Sequence, residues 1–338
     1  MTKRFHAVVV ALFLGVVSLA GCSQRPTPTT QKLQVMVSIA PQKYFVERIG
    51  GGYVTVGVMV PPGAEPHTFE PKPEQLKSLS RANAYLRIRI DFEEAWMDKL
   101  AAANPKMAIV DTTQGIQRLP MPAQFREPGS PEGAGKGENL DPHIWLSPRL
   151  VKVQARTIYE ALSKLDPQHQ PVYQANLERF LADLDKLDAD IRKTLKGAKN
   201  RKFIVFHPAW GYFSRDYGLE MIPIEVGGQE PSAAELGVLM REAKKDGIKV
   251  VFAEPQFSKQ TAEAIAQEVG GEVLLIDDLS PNWMDNLRNV AHTFAKVLNQ
   301  KQAASLSPIA AFAYRFPPIA SRPFSILGEK GWNTQTGK

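Results

Sequence analysis

The sequence predicts an α/β protein in two halves, each built on a four-stranded, mainly parallel sheet, with one long helix joining them. Three observations lead there. Short apolar runs of strand character alternate with helical segments on both sides of mid-chain, the pattern of βα units and a parallel sheet. Between them, residues 168–196 form an amphipathic stretch with no proline after Pro171 and no glycine before Gly197. The 338 residues, 43% hydrophobic and 22% charged, suffice for a sizeable core and about two domains.

The first residues stand apart. Lys3-Arg4 precede an uncharged apolar run over residues 7–19, too short for a comfortable membrane span but suited to a secretory signal. The run ends in Leu19-Ala20-Gly21-Cys22, and Cys22 is the sole cysteine, which excludes an internal disulfide. Small residues before this cysteine resemble the cleavage and lipidation box of bacterial lipoproteins, implying a signal peptide over 1–21 and a lipid on Cys22. At about 0.8 kcal/mol per buried methylene, such acyl chains anchor a protein to a membrane without spanning it. Loss of Lys3 and Arg4 lowers the formal charge from +6 to +4, and without a long basic run nothing points to nucleic acid. Residues 22–32, rich in Pro, Thr, Gln and Ser, read as a flexible tether, so folding is expected to start at Leu33.

In the first half, strands are expected at 33–37, 55–60, 84–90 and 107–110, and helices at 40–49, from Pro73, and at 93–103. Residues 33–166 are the expected N-terminal lobe. Residues 114–140 break the alternation with Pro120, Pro122, Pro128 and Pro131, and a loop that long is uncommon unless functional. Ser147-Pro148 then pairs an N-cap with a first-turn proline and opens a helix with Val151, Ile158 and Leu162 on its apolar face.

In the mid-chain stretch Leu177, Phe180, Leu184, Leu187, Ile191 and Leu195 recur at helical spacing. Two readings fit, a core helix of one domain and a connector packed along both, and its mid-chain place favours the second, a linker helix over 167–197. Past Gly197 strands are expected at 203–206, 221–226, 250–253 and 273–276, with helices at 232–245, 259–269 and 284–298, giving a C-terminal lobe over 198–302. Residues 303–338 form a tail of no assigned role. No residue-level repeat links the halves.

His67 stands between prolines on a stiff loop just past the second strand. Taken alone, a loop histidine is a surface residue. His207 and Asp277, however, directly follow strands of the second half, and ligands gather at the carboxyl ends of strands in open α/β sheets. His143, in a loop feeding a helix, adds a fourth candidate. Three imidazoles and a carboxylate supply a tetrahedral N3O set for a metal ion. Positions 67, 143, 207 and 277 lie too far apart for a zinc finger or a protease helix, so only tertiary structure could assemble them. His6 lies in the export signal, and His169 and His292 read as ordinary surface residues.

These motifs resemble a known family. Gly-x-x-Pro-His-Thr-Phe-Glu-Pro from Gly63, Asp-Pro-His-x-Trp-Leu-Ser-Pro from Asp141, His-Pro-Ala-x-Gly-Tyr-Phe from His207, and the strand ending in Asp277 look like the metal-binding solute-binding lipoproteins of zinc and manganese ABC importers, cluster A-I type. The resemblance spans residues 33–299. It implies two α/β domains joined by a rigid helix, with the metal in the cleft on His67, His143, His207 and Asp277. Manganese members present glutamate at the third position; His207 favours zinc, because imidazole suits Zn and harder oxygen ligands suit Mn. Many zinc importers carry a histidine-rich loop, whereas residues 114–140 contain no histidine.

The expected function is therefore that of an exported, lipid-anchored, monomeric receptor. It would capture Zn2+ between its halves and deliver it to an ABC permease and its ATPase subunit, without chemistry on the metal. Glu65, Glu70 and Glu254 are candidate partners for orienting the imidazoles. Rival readings are a manganese or iron receptor of the same fold, a surface adhesin with a structural metal, and a zinc hydrolase; against the last, a fourth protein ligand leaves no position for an activated water.

Overall fold

The computed structural model describes residues 32–121, 140–225, 231–257 and 259–299. The expected signal peptide over 1–21, Cys22, the expected tether apart from Lys32, most of segment 114–140 and the tail over 303–338 lie outside the described residues.

The first sheet contains β1 (Leu33–Val37), β2 (Val54–Val58), β3 (Ala84–Arg87) and β4 (Ala108–Asp111), all parallel, in the order β2-β1-β3-β4. The second contains β5 (Lys202–Val205), β6 (Glu220–Pro223), β7 (Val250–Ala253) and β8 (Glu272–Leu275), again parallel, in the order β6-β5-β7-β8. The two orders are equivalent. In each, the strand order reverses between the first and third strand, and the crevice above that switch point is where an open α/β sheet receives a ligand.

Two strand ends depart from the sequence expectation for identifiable reasons. β3 stops at Arg87 because the buried Glu93 carboxylate takes the Ile88 and Arg89 N–H groups at 3.0 and 2.6 Å, and Arg89 turns to φ 60. That turn aims the following residues, Ile90 and Asp91, toward the switch point. β6 ends at Pro223, yet the Ile224 and Glu225 N–H groups still bond to the Val205 and Phe206 carbonyls at 2.8 and 2.9 Å. Glu225 is thereby held beside the residue that follows Phe206.

The helices are α1 (Ala40–Gly50), α2 (Pro73–Leu79), α3 (Asp91–Ala103), α4 (Pro148–Leu165), α5 (Gln170–Leu195), α6 (Gly211–Tyr217), α7 (Ala233–Lys245), α8 (Lys259–Glu268) and α9 (Trp283–Asn299). Ser147 caps α4 by accepting the Leu150 N–H. α6 was not expected, since its aromatic sequence carries no helical period. None of the described helices is long and apolar enough to cross a membrane.

α5, 26 residues and so about 39 Å long, buries Tyr173, Leu177, Phe180, Leu184, Leu187, Ile191 and Leu195 along one stripe. It packs against α1 and α4 on the side of the first sheet and α9 on the side of the second, so the connector reading is the one the fold adopts. Phe45 of α1, Phe180 of α5 and Trp283 of α9 meet across it, with Phe45 4.9 Å from Trp283 and 6.0 Å from Phe180. Side-chain alternation divides the second sheet between two cores. Phe203, Val205 and Phe252 join the apolar mass that runs through the first half, whereas Ile204, Phe206 and Val251 face a smaller cluster with α7 and α8.

Candidate metal centre

His67, His143 and His207 converge. Their Nε2 atoms are 3.3 Å apart between His67 and His143 and 3.0 Å between His207 and His143. Each ring turns its other nitrogen to a carboxylate: His67 Nδ1 to Asp91 Oδ2 at 3.1 Å, His143 Nδ1 to Asp141 Oδ1 at 2.7 Å, and His207 Nδ1 to Glu225 Oε2 at 2.8 Å. A proton on each Nδ1 satisfies these carboxylates and leaves three Nε2 lone pairs facing one point. Three lone pairs aimed together repel unless a cation lies between them. A tetrahedral zinc with Zn–N near 2.0–2.1 Å sets its nitrogens about 3.3 Å apart, close to the spacing found here.

Local sequence explains each placement. The Glu65 carboxylate takes the His67 and Thr68 N–H groups, both at 2.7 Å, and the Thr68 hydroxyl at 2.6 Å, folding the loop after β2 into a fixed turn. Asp141 accepts the His143 backbone N–H at 2.8 Å as well as its ring. His207 leaves the end of β5; its N–H donates to Glu254 Oε2 at 3.1 Å, and its ring stacks on Phe257 at 4.6 Å. His143 and His207 are buried, and His67 is half-buried at the pocket mouth.

Burial pushes His143 well below the ordinary histidine range, with His67 adding to the effect. It takes His207 down to about 3 despite Glu225. For His67 burial also opposes charging, but the Asp91 hydrogen bond and the charge of Glu65 outweigh it and the pKa is raised. Asp91 is correspondingly lowered by its hydrogen bond to His67. Two rings are thus neutral and ready for metal at any ordinary pH, and the third carries the exchangeable proton.

Of the two adjacent aspartates, Asp278 is the one that lines the pocket. Asp278 lines the same pocket as the three histidines, is buried, and its Oδ1 finds no hydrogen-bond partner among the described residues. Burial, reinforced by neighbouring Asp277, lifts it to about 7. Asp277 directs its Oδ1 elsewhere, to the Gln256 amide at 3.2 Å and the Leu279 N–H at 3.0 Å. The metal-ligating cluster found among the described residues is His67, His143 and His207, with neither Asp277 nor Asp278 in it.

The glutamates expected to orient the imidazoles have other partners. Glu65 and Glu254 hold the backbones of His67 and His207, Glu254 also accepts the Trp210 indole N–H at 3.1 Å, and Glu70 is exposed. The ring partners are Asp91, Asp141 and Glu225. Only Asp141 carried a local signal, two residues before a histidine in Asp-Pro-His. Asp91 and Glu225 reach their rings through the two irregular strand ends described above. Of the remaining histidines, His292 is exposed, while His169 is held by Asp166 at 2.7 Å and stacks on Tyr53 at 3.8 Å.

The geometry agrees with comparisons to known proteins. A family model for the zinc-uptake complex component A, periplasmic, matches residues 35–297. The chain belongs to the ZnuA family. Members are solute-binding receptors of ABC uptake systems, not enzymes, and zinc is the metal that the triad suits. The high-affinity zinc uptake system protein ZnuA of Bacillus subtilis (strain 168) is 28% identical over 278 residues, covering 80% of this chain and 87% of that protein. A crystal structure of ZnuA is 48% identical with a TM-score of 0.73, covering 79% of this chain and 100% of that one. A zinc-bound ZnuA lacking its residues 138–173 matches equally, at 48% identity and 0.73, over 80% and 99% of the two chains.

Proposed function

We propose that the protein captures Zn2+ outside the cytoplasm on His67, His143 and His207, with a fourth oxygen from the Asp277–Asp278 pair, and passes it to a membrane permease driven by an ATPase subunit. The convergence of three carboxylate-backed Nε2 atoms carries this reading. Asp278 is favoured over Asp277 as the fourth ligand, because it faces the pocket with a free oxygen. The nitrogen-rich set favours zinc over manganese or iron. A lipid on Cys22 would keep a monomeric receptor beside its permease, with lobes over 33–166 and 198–302 and the linker helix over 167–197 limiting release to small tilts.

Calorimetric titration with Zn2+ and Mn2+, separately and in competition, tests the reading. One equivalent of zinc should bind, and His67→Ala with His207→Ala should abolish tight binding. A full equivalent of manganese retained against excess zinc would reassign the metal, and unchanged zinc affinity in the double variant would remove the triad from the site.

A further inference from the structure

Three tryptophans are fully buried, Trp145 in the pocket wall and Trp210 and Trp283 behind it, and each donates its indole N–H to a group close in sequence or bonding to a site residue. Trp210 donates to Glu254, which in turn holds the His207 backbone. Trp145 Nε1 donates to the Asp278 backbone carbonyl at 2.7 Å, and Trp283 Nε1 donates to the Trp145 carbonyl at 2.8 Å. These last two bonds form a chain between the halves. Trp145 lies two residues after His143, in a short 3-10 turn (Ile144–Leu146), and Asp278 lies in the loop after β8. Trp283 opens α9, wedged edge-on against Phe45 of α1.

The Asp278 loop needs such a hold. A buried carboxylate oxygen without a hydrogen bond is disfavoured against exposure to water, so a free loop would turn that side chain outward. Among the described residues no hydrogen bond to Asp278 Oδ1 opposes this, and the restraint comes from the backbone carbonyl of the same residue. Trp145 also lines the pocket, with its ring 5.0 Å from that of His143, so one rigid side chain spans a histidine ligand and the acidic wall.

We infer that Trp145 is a positioning residue of the zinc site: its indole N–H fixes the Asp278 loop so that the carboxylate faces the three imidazoles before metal arrives. Trp283 braces Trp145 from α9. The inference rests on Asp278 being the fourth ligand and adds the device that holds it there. Preorganising an oxygen ligand in this way sharpens affinity, because the loop's freedom is given up on folding and not on binding.

The test is a double-mutant cycle. Zinc affinity is measured by competition with a chromophoric chelator for the unmodified protein, Trp145→Phe, Asp278→Ala and the combination, with the visible d–d band of Co2+ as the readout of coordination. Trp145→Phe and Asp278→Ala should each weaken zinc binding about 10- to 100-fold, with Asp278→Ala the larger. The combined variant should bind no more weakly than Asp278→Ala alone, and both single variants should shift the Co2+ band in the same sense. Trp283→Phe, acting one bond further away, should give a smaller loss of the same sign and serves if Trp145→Phe folds poorly. Losses that add in full, or wild-type affinity in both tryptophan variants, overturn the positioning role while leaving the fourth ligand intact. Wild-type affinity in Asp278→Ala overturns the fourth-ligand reading itself.

Discussion

Asp141 Oδ1 accepts both the backbone N–H and the ring Nδ1–H of His143, at 2.8 and 2.7 Å, with both side chains 1% exposed. One oxygen therefore fixes the position, rotation and tautomer of the most enclosed ligand. Because the Nδ1 proton is engaged, the Nε2 lone pair is committed to the pocket, and the same logic holds for His67 with Asp91 and His207 with Glu225.

Asp141→Ala should accordingly weaken zinc binding by about 10- to 100-fold while leaving the ligand set unchanged. Asp141→Asn retains a carbonyl acceptor and should lose less. Isothermal titration of both variants measures this; equal, wild-type affinities would mean that His143 is held by its backbone alone.

Gly211 gives the same interaction a steric dependence. A Cβ at Gly211, in the first turn of α6, would lie 2.8 Å from Asp141 Oδ2, nearer than side chains normally approach. Gly211→Ala should displace the Asp141 carboxylate and loosen zinc several-fold without loss of helical content, checked by circular dichroism beside the titration. An unaltered affinity would show that Asp141 can shift without moving His143.

The acid dependence follows from which groups hold protons in the metal-free protein. His67 is raised and keeps its proton to higher pH than an ordinary histidine, whereas His143 and His207 are lowered and already neutral. Burial raises both Asp278 and Asp141 to about 7, so Asp278 must ionise to serve as a ligand and Asp141 to accept the His143 Nδ1–H. Zinc affinity should therefore fall as pH drops through about 7, with at least two protons released per zinc on the acid side and fewer above it. Calorimetry in buffers of different ionisation enthalpy counts them. His67→Ala and Asp278→Asn should each remove about one proton from the count, and a flat affinity between about pH 6 and pH 8 would refute the assignment.

Phe180 fastens α5 to α1, beside the Phe45–Trp283 contact that joins α1 to α9. Its ring meets Phe45 and Tyr44 of α1, and the Arg48 guanidinium lies 4.9 Å above it. Phe180→Ala should cost about 3–5 kcal/mol in urea unfolding of the metal-free protein. Zinc affinity in the refolded variant should stay near wild type, because the ring's partners among the described residues are Tyr44, Phe45 and Arg48 and not the metal-site histidines or their carboxylates. Unfolding should occur in a single transition, since the core around α5 is continuous between the sheets. Two transitions would mean that the halves fold separately.

The sequence by itself determined the strands, the long helix and the three histidines, because each is written locally. Apolar period and proline position mark where βα units begin and end, His207 is marked by following a strand directly, and His67 by its proline-flanked loop past a strand. Neither signal depends on a distant residue. The choice between a core helix and a connector for residues 168–196 was open in the sequence and was decided by packing, since one apolar stripe serves either role. The carboxylates beside the rings were likewise decided in three dimensions. Asp91 is delivered by a turn that the buried Glu93 imposes, and Glu225 by an extension of β6 past a proline. Between Asp277 and Asp278, adjacent and chemically identical, sequence offers no criterion. Tertiary structure separates them: the Asp277 carboxylate accepts from Gln256 and the Leu279 N–H, whereas Asp278 lines the pocket and its backbone carbonyl accepts the Trp145 indole N–H.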